Sequence, residues 1–216
     1  MQLPFIFSTI QGEQITIDRA VLADCAGVSE VKIAAVTDSY APFIEVADII
    51  ASEKNPEKYH WLLQEPFDQE LAFHVARGVN GTVLGFVIAM PKVADQQLAW
   101  RMAWAKKDYK EFQKIVATAD SSIIWIDQLF MRAAARNKGI GRKLLQSVVG
   151  RFPDARTMQL YVGEFNAVGL GFYERVGFKR VERSVAKDGQ GNDRTDLQGN
   201  PLYHWLMEVD ITQLVR

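Results

Sequence analysis

The sequence predicts an α/β domain, and three observations lead there. An apolar run over 123–131 is followed, across a glycine-containing turn, by Ile140, Leu144, Leu145, Val148, Val149 and Phe152. The run reads as a buried strand, and the spacing after it as one face of a helix. Residues 71–79 and 82–89 are strand-like runs joined at Asn80-Gly81, a pair that suits the two positive-φ positions of a type I′ hairpin turn. With 216 residues and 48% hydrophobic content the chain can bury one sizeable core, and nothing in it marks a second domain.

The remaining elements follow in order. Residues 14–19 alternate enough to be a first strand, and Asp24 can cap the helix that follows by accepting from its free first-turn N–H groups. Helical spacing over 26–50 breaks around Tyr40-Ala41-Pro42. Asn80-Gly81-Thr82 also spells a glycosylation sequon, but the turn accounts for it. Residues 91–119 read as one or two amphipathic helices inserted between strands, with Trp100 and Trp104, and Phe112 and Val116, one turn apart and Lys106, Lys107 and Lys110 on a polar side. Packing on the sheet is the preferred account, and a lid or dimer surface the sharper one. A strand over 157–162 precedes a helix beginning after Asn166. Two final strands, 178–186 and 202–211, enclose a polar glycine-rich loop expected to be mobile. No internal repeat is visible.

Composition narrows the function. A net charge of -1 argues against nucleic acid as a main partner. No run approaches the ~20 apolar residues that span a bilayer. The first residues lack a secretory pattern, so the cytoplasm is the expected compartment. The one cysteine, Cys25, excludes a disulfide framework and a cysteine-based zinc site, and reads as a packing residue. His60, His74 and His204 show no ligand spacing, and no metal is expected.

Residues 132–143 hold Arg132, Arg136, Lys138, Arg142 and Lys143, no acid, and the glycines Gly139 and Gly141. Glycines bring backbone N–H groups close to a ligand, and a helix N-terminus favours an anion, so this loop is expected to hold phosphates. Neither Gly-x-Gly-x-x-Gly nor the P-loop spacing is present. Arg136-x-x-Gly139-x-Gly141 instead resembles the pyrophosphate loop of the GNAT superfamily of acetyl-CoA-dependent N-acetyltransferases. A second motif lies in the right order, Asn166 followed by Tyr173-x-x-x-Gly177-Phe178. The close resemblance covers 121–180.

The resemblance implies a single GNAT-type domain over 1–216, with the helical insertion at about 91–119. Its mixed, mostly antiparallel sheet would be flanked by helices, with central parallel strands splayed around acetyl-CoA. It implies that Asn137, Lys138, Gly139, Ile140, Gly141 and Arg142 bind the cofactor's phosphates through main-chain N–H groups, with Arg136 opening the loop. Leu129, Phe130 and Met131 would pair with the pantetheine arm. Asn166 is either a helix cap or a pantetheine ligand. Tyr173 is read as the general acid that protonates the departing thiolate, over a core aromatic. Neutralising an alkyl amine costs about 4–5 kcal/mol near neutral pH. Asp127, a carboxylate in the apolar run, is either the base that does so or a buried acid tied to a neighbour. The implied reaction is direct acetyl transfer in a ternary complex to a primary amine of a small molecule, bound near Tyr40, Phe43 and Glu45. Acidic residues over 38–68 would suit a cationic acceptor. Alternatives are a protein lysine or N-terminus as acceptor, a longer acyl-CoA, or a non-catalytic acetyl-CoA-binding module. No membrane or nucleic-acid partner is expected, and the state is monomer or homodimer.

Overall fold

The computed structural model describes residues 4–9, 11–64, 67–94, 109–188 and 191–215. Within them one mixed sheet runs in the order β1 (Phe5–Ser8), β2 (Gln14–Arg19), β3 (Ala72–Gly78), β4 (Val83–Lys92), β5 (Asp120–Met131), β6 (Thr157–Gly163), β8 (Tyr203–Asp210), β7 (Lys179–Val185). Every neighbouring pair is antiparallel except β5 with β6. The first strand is thus Phe5–Ser8 and not 14–19. Four residues at a sheet edge, half-buried on one side, are too short to show a period.

Helices cover both faces. On one side lie α1 (Cys25–Ser39), α2 (Ala47–Glu53), a 3-10 helix (Pro56–Leu63), α3 (Phe67–Glu70) and α4 (Tyr109–Val116). On the other lie α5 (Ile140–Val149), α6 (Ala167–Arg175) and α7 (Ile211–Val215). Strand β4 explains its own unbroken apolar sequence. Val87 and Ala89 join Ile140, Leu144 and Val148 in one core, while Phe86, Ile88 and Met90 join Val28, Val31, Tyr59 and Phe112 in the other. A strand buried on both faces shows no alternation. Phe112 lies in that second core, whereas Trp100 and Trp104 fall outside the described residues.

The parallel pair is short. Strands β5 and β6 are in register only at Ile123↔Thr157, Ile124↔Met158 and Trp125↔Gln159. Beyond Trp125, β5 pairs with β4 alone. Its pairing slips there, from Ile88↔Gln128 to Ala89↔Ile126, so Asp127 is the extra residue of a β-bulge. A bulge bends its strand and redirects a side chain, here at the point where β5 and β6 part.

Three local expectations are corrected: the type I′ turn, the Asp24 cap and the absence of a repeat. At Asn80-Gly81 only Gly81 has positive φ (78°), so the turn is not type I′. Gly81 N–H donates to Gly78 O at 2.9 Å, and Asn80 accepts from Thr82 N–H through its side chain at 3.1 Å. Asp24 precedes α1 without capping it, because its carboxylate accepts from Val21 N–H (2.7 Å) and Arg77 Nε (2.7 Å). The described residues of the polar loop are also hydrogen-bonded to one another. Asp188 accepts from Asn192 N–H and Asp196 from Asn200 N–H through their carboxylates, at 2.9 and 2.8 Å, and Gly191 and Gly199 take positive φ. Both lie in one five-residue sequence pattern, Asp188-Gly-Gln-Gly-Asn192 and Asp196-Leu-Gln-Gly-Asn200, so a short internal repeat does exist.

Cys25 is buried and its thiol is pushed up to about 11, chiefly by burial and then by Asp24. His74 is a core residue bonded to Ser147 Oγ at 2.9 Å, and burial lowers it to about 4. No helix among the described residues is long and apolar enough to cross a membrane.

Gly85 is where β4 and the free end of β5 touch most closely. A Cβ there would lie 2.8 Å from Phe130 O and against the Met131 side chain. Gly85→Ala should therefore cost ~1–3 kcal/mol in urea denaturation, because a backbone atom of β5 must move to admit the methyl group. Unchanged stability would show that this strand end is loosely held.

Candidate active site

A cavity of about 460 Å³ fills the gap between β5 and β6. Of the residues expected from sequence to be catalytic or to bind the cofactor, all but Lys138 and Ile140 line it. Ile140 is turned into the core at 1% exposure, and Lys138 pairs with Glu13 at 2.7 Å. Only their backbone groups remain available to the loop.

The loop owes its shape to two left-handed residues, Asn137 (φ 61°) and Gly139 (φ 80°). Asparagine tolerates this conformation and glycine adopts it freely. Gly139 then serves as N-cap of α5 with no side chain, and Lys143 N–H makes the first bond back to it, at 3.2 Å. The amides of Ile140, Gly141 and Arg142 are left without an intrahelical acceptor at a helix N-terminus, a donor set that fits a phosphate. Gly141 has a different role. A Cβ there would meet the Phe172 ring at 3.0 Å, so its absence lets α6 lie close against α5.

The cations do not point where composition suggested. Arg132 donates to Val83 O (2.8 Å) and Glu30 (2.7 Å), and Arg142 to Gln213 O (3.0 Å) near the C-terminal end of α7. Lys143 lies over the Phe5 ring, 5.0 Å from its centroid, and Arg136 pairs with Asp38 at 3.6 Å. That leaves the main-chain N–H groups as the donors of this loop most open to an anion. The Arg136–Asp38 pair is exposed enough to be worth only ~0–1 kcal/mol, so an arriving phosphate can recruit Arg136.

Helix α6 explains the second motif. Asn166 accepts from Gly169 N–H at 2.9 Å, capping the helix. At the far end Phe178 N–H donates to Tyr173 O (2.9 Å) and Gly177 N–H to Glu174 O (3.1 Å), with Gly177 at φ 107°. This is a Schellman ending, in which the left-handed position favours glycine and the residue after it packs back on the last turn. Phe178 does so edge-on against the Tyr173 ring, at 5.3 Å between centroids. Gly177 and Phe178 therefore fix Tyr173 in the cavity wall. Among the described residues its hydroxyl has no hydrogen-bond partner. Burial, then the neighbouring Tyr40, pushes its pKa well above the ordinary phenol value.

Asp127 is half-buried at the bulge, facing the same cavity. Burial raises its carboxyl to about 6, while the Lys32 charge and the Gln128 side chain hold it from rising further. Tyr40 also lines the cavity, edge-on to Phe165 at 5.3 Å. Phe43 and Glu45 do not. Phe43 stacks on Phe165 and accepts from Leu197 N–H (3.0 Å), and Glu45 accepts from Ala47 N–H (2.8 Å) at the start of α2. The expected acidic acceptor face is likewise engaged elsewhere, since Asp38 pairs with Arg136 and Glu53 is buried among Lys32, Lys58 and Tyr59. Lys32, Glu53 and Tyr59 were invisible in sequence because their partners lie on separate elements.

The model of the acetyltransferase (GNAT) family matches residues 38–178, the span holding the loop, the bulge and Tyr173. The chain belongs to the GNAT acetyltransferase family. Solved structures agree on the fold. The PaiA N-acetyltransferase of Thermoplasma acidophilum, crystallised with coenzyme A, superposes with a TM-score of 0.60 at 19% identity, covering 91% of this chain and 98% of that one. A GNAT phosphinothricin acetyltransferase from Sinorhizobium meliloti, in complex with AcCoA, gives 0.58 at 19% identity, covering 91% and 88%. A ribosomal-protein-alanine N-acetyltransferase from Brucella melitensis gives 0.58 at 17%, covering 90% and 98%. No curated protein matches the sequence significantly. This GNAT protein is an acyltransferase by family, and its acceptor is left to be inferred.

A carboxyl whose folded value lies near 6, above the ordinary 3.8, stabilises the fold at low pH and loses that contribution as pH rises through 6. Asp127→Asn should consequently be more stable than wild type at pH 8, by up to about 3 kcal/mol, with the difference vanishing toward pH 4. Urea denaturation at both pH values checks this. A variant less stable at pH 8 would mean that Asp127 is a satisfied structural acid.

Proposed function

We propose that the protein transfers an acetyl group from acetyl-CoA to a primary amine of a small molecule, by direct attack in a ternary complex. The observation that carries this reading is one cavity holding two oppositely equipped groups. Asp127, half ionised near pH 6, is a base at neutral pH, and Tyr173 is still protonated there. Their environments separate an acid from a base.

Acetyl-CoA supplies the acetyl group as an activated thioester. The unpaired amides at the start of α5 and the positive-φ turn before it fit its phosphates, and Arg136 adds a recruitable charge. Leu129, Phe130 and Met131 present backbone groups on the side of β5 that β6 leaves unpaired, which suits the extended pantetheine arm. A β5 N–H would polarise the thioester carbonyl, as donors aimed at developing negative charge do in acyl transfer. Asp127 takes the proton that makes the amine nucleophilic, and Tyr173 gives a proton to the departing sulfur. Asn166 spends its carbonyl oxygen on the helix cap and sets its amide against the Tyr40 hydroxyl, so a pantetheine carbonyl would share that amide with Tyr40.

The entrance favours a small acceptor. Tyr40 in the cavity wall is backed by Phe165 and Phe43, and the second of the paired turns docks behind it through the Leu197–Phe43 bond. Asp127 is the one carboxylate among the described lining residues, so the cationic-acceptor argument from composition does not extend to the cavity. A panel of small primary amines, lysine peptides and N-terminal alanine peptides, read by CoA thiol release, tests this. Turnover of small amines is expected, and turnover confined to peptides would overturn the acceptor class.

Tyr173→Phe keeps the ring, its contact with Phe178 and the apolar area. It should lower turnover of the best panel amine by ~10²–10⁴ while acetyl-CoA affinity and melting temperature stay near wild type. Full activity in the variant would leave Tyr173 a packing residue.

A further inference from the structure

Behind the wall that carries Asp127 lies a charged cluster that the transfer reaction leaves unused. Glu53 of α2 is 1% exposed, an unusual place for a carboxylate. Lys32 of α1 lies 2.8 Å from it, Lys58 of the adjoining 3-10 helix contacts the same oxygen, and Tyr59 hydroxyl donates to the other at 2.7 Å. Burial alone would raise the Glu53 carboxyl, but Lys32 and the bonds from Lys32, Lys58 and Tyr59 outweigh it and hold it low. Glu53 is therefore ionised, and it anchors the Lys32 ammonium.

Lys32 also reaches the wall of the active site from behind. Its ammonium lies over the Phe130 ring, 5.7 Å from the centroid, and its field reaches Asp127 without an ion pair forming between the two. Among the described residues the other titratable groups around Asp127 are Tyr59 behind it and Tyr40, Arg136, Arg142, Tyr161, Tyr173 and Arg175 around the cavity. Strand β4 sets only Ile88 and Ala89 against the bulge. Lys32 is the cation that acts on Asp127 most directly, and where it sits is decided by Glu53.

Resting on the base reading of Asp127, we propose that Glu53 is a positioning residue that holds Lys32 back from Asp127, keeping the carboxylate a base strong enough to take a proton from the acceptor amine. Direct pairing with a lysine would make that carboxylate a weak base, since an opposite charge at contact lowers an acid by ~1–3 units. With no cation nearby, burial would raise it further and leave a larger share protonated at neutral pH. The cluster holds Asp127 between these two conditions.

The two halves of the ion pair should therefore act with opposite sign, which loss of packing would not produce. The readout is the carboxyl ¹³C titration of Asp127 in the full chain, assigned by the resonance lost in Asp127→Asn. The acid limb of turnover, with the best amine of the panel and acetyl-CoA, is followed in parallel. Lys32→Met should move both midpoints up by about one pH unit, and Glu53→Gln, which frees Lys32, should move both down by a similar amount. Lys32→Arg, keeping the charge, should stay near wild type. Midpoints that do not move, or that move together in one direction, overturn the proposal. Should Lys32→Met fail to fold, Glu53→Gln decides alone, and an unmoved midpoint overturns it. An Asp127→Asn enzyme with full turnover and an unchanged acid limb would sink the base reading separately, whatever the carboxyl titrations show.

Discussion

The structure turns on a separation between two parallel strands. β5 and β6 share three residue pairs and then part, so β5 runs on with one side of its backbone unpaired in the middle of a sheet. Unpaired backbone away from water costs as much as a lost hydrogen bond and calls for a partner. Two helices bring their functional ends to the same gap, α5 by its N-terminus and α6 by the face bearing Tyr173. A ligand with an extended amide-bearing arm and an anionic end answers both demands at once, as an acyl-CoA does.

What keeps the gap open is packing on both sides of it. β4 is buried on both faces and clamps β5 along its whole length, with Gly85 allowing the closest approach at the free end. Below the sheet, Ile140, Leu144 and Val148 fix the axis of α5, so the loop before it has little freedom. Above it, α1 carries Tyr40 into the cavity wall and Lys32 into the charged cluster behind. The bulge then places Asp127, the one carboxylate among the described lining residues, at the point where the strands part. Such a buried charge lowers stability at neutral pH, a familiar cost of a functional site.

Much of this was legible in sequence, and the reason is locality. The loop from Arg136 to Gly141 and the ending Tyr173-x-x-x-Gly177-Phe178 are short stretches whose conformations are set by their own residues, a left-handed glycine in each case. The spacing of Ile140, Leu144, Leu145 and Val148 reports a helix face directly. What escaped reading depends on pairing across the chain. The bulge at Asp127 exists only relative to Ile88 and Ala89, and the loop cations are claimed by Glu13, Glu30, Asp38 and the carbonyls of α7. Asn80 shows the opposite failure, a local rule overruled when the hairpin closed through Gly78 and Gly81 instead. The twin turns at Asp188 and Asp196 were readable as a repeat, but five residues in a polar loop are easily passed over.

The central claim is that the unpaired side of β5 is where the cofactor lies. Hydrogen exchange of the full chain with and without acetyl-CoA tests it at residue level. The account predicts new protection at amides within 126–131 and at Ile140, Gly141 and Arg142, with little change on the β1–β2 side of the sheet. Binding that protects neither stretch would contradict it and place the cofactor elsewhere on the fold.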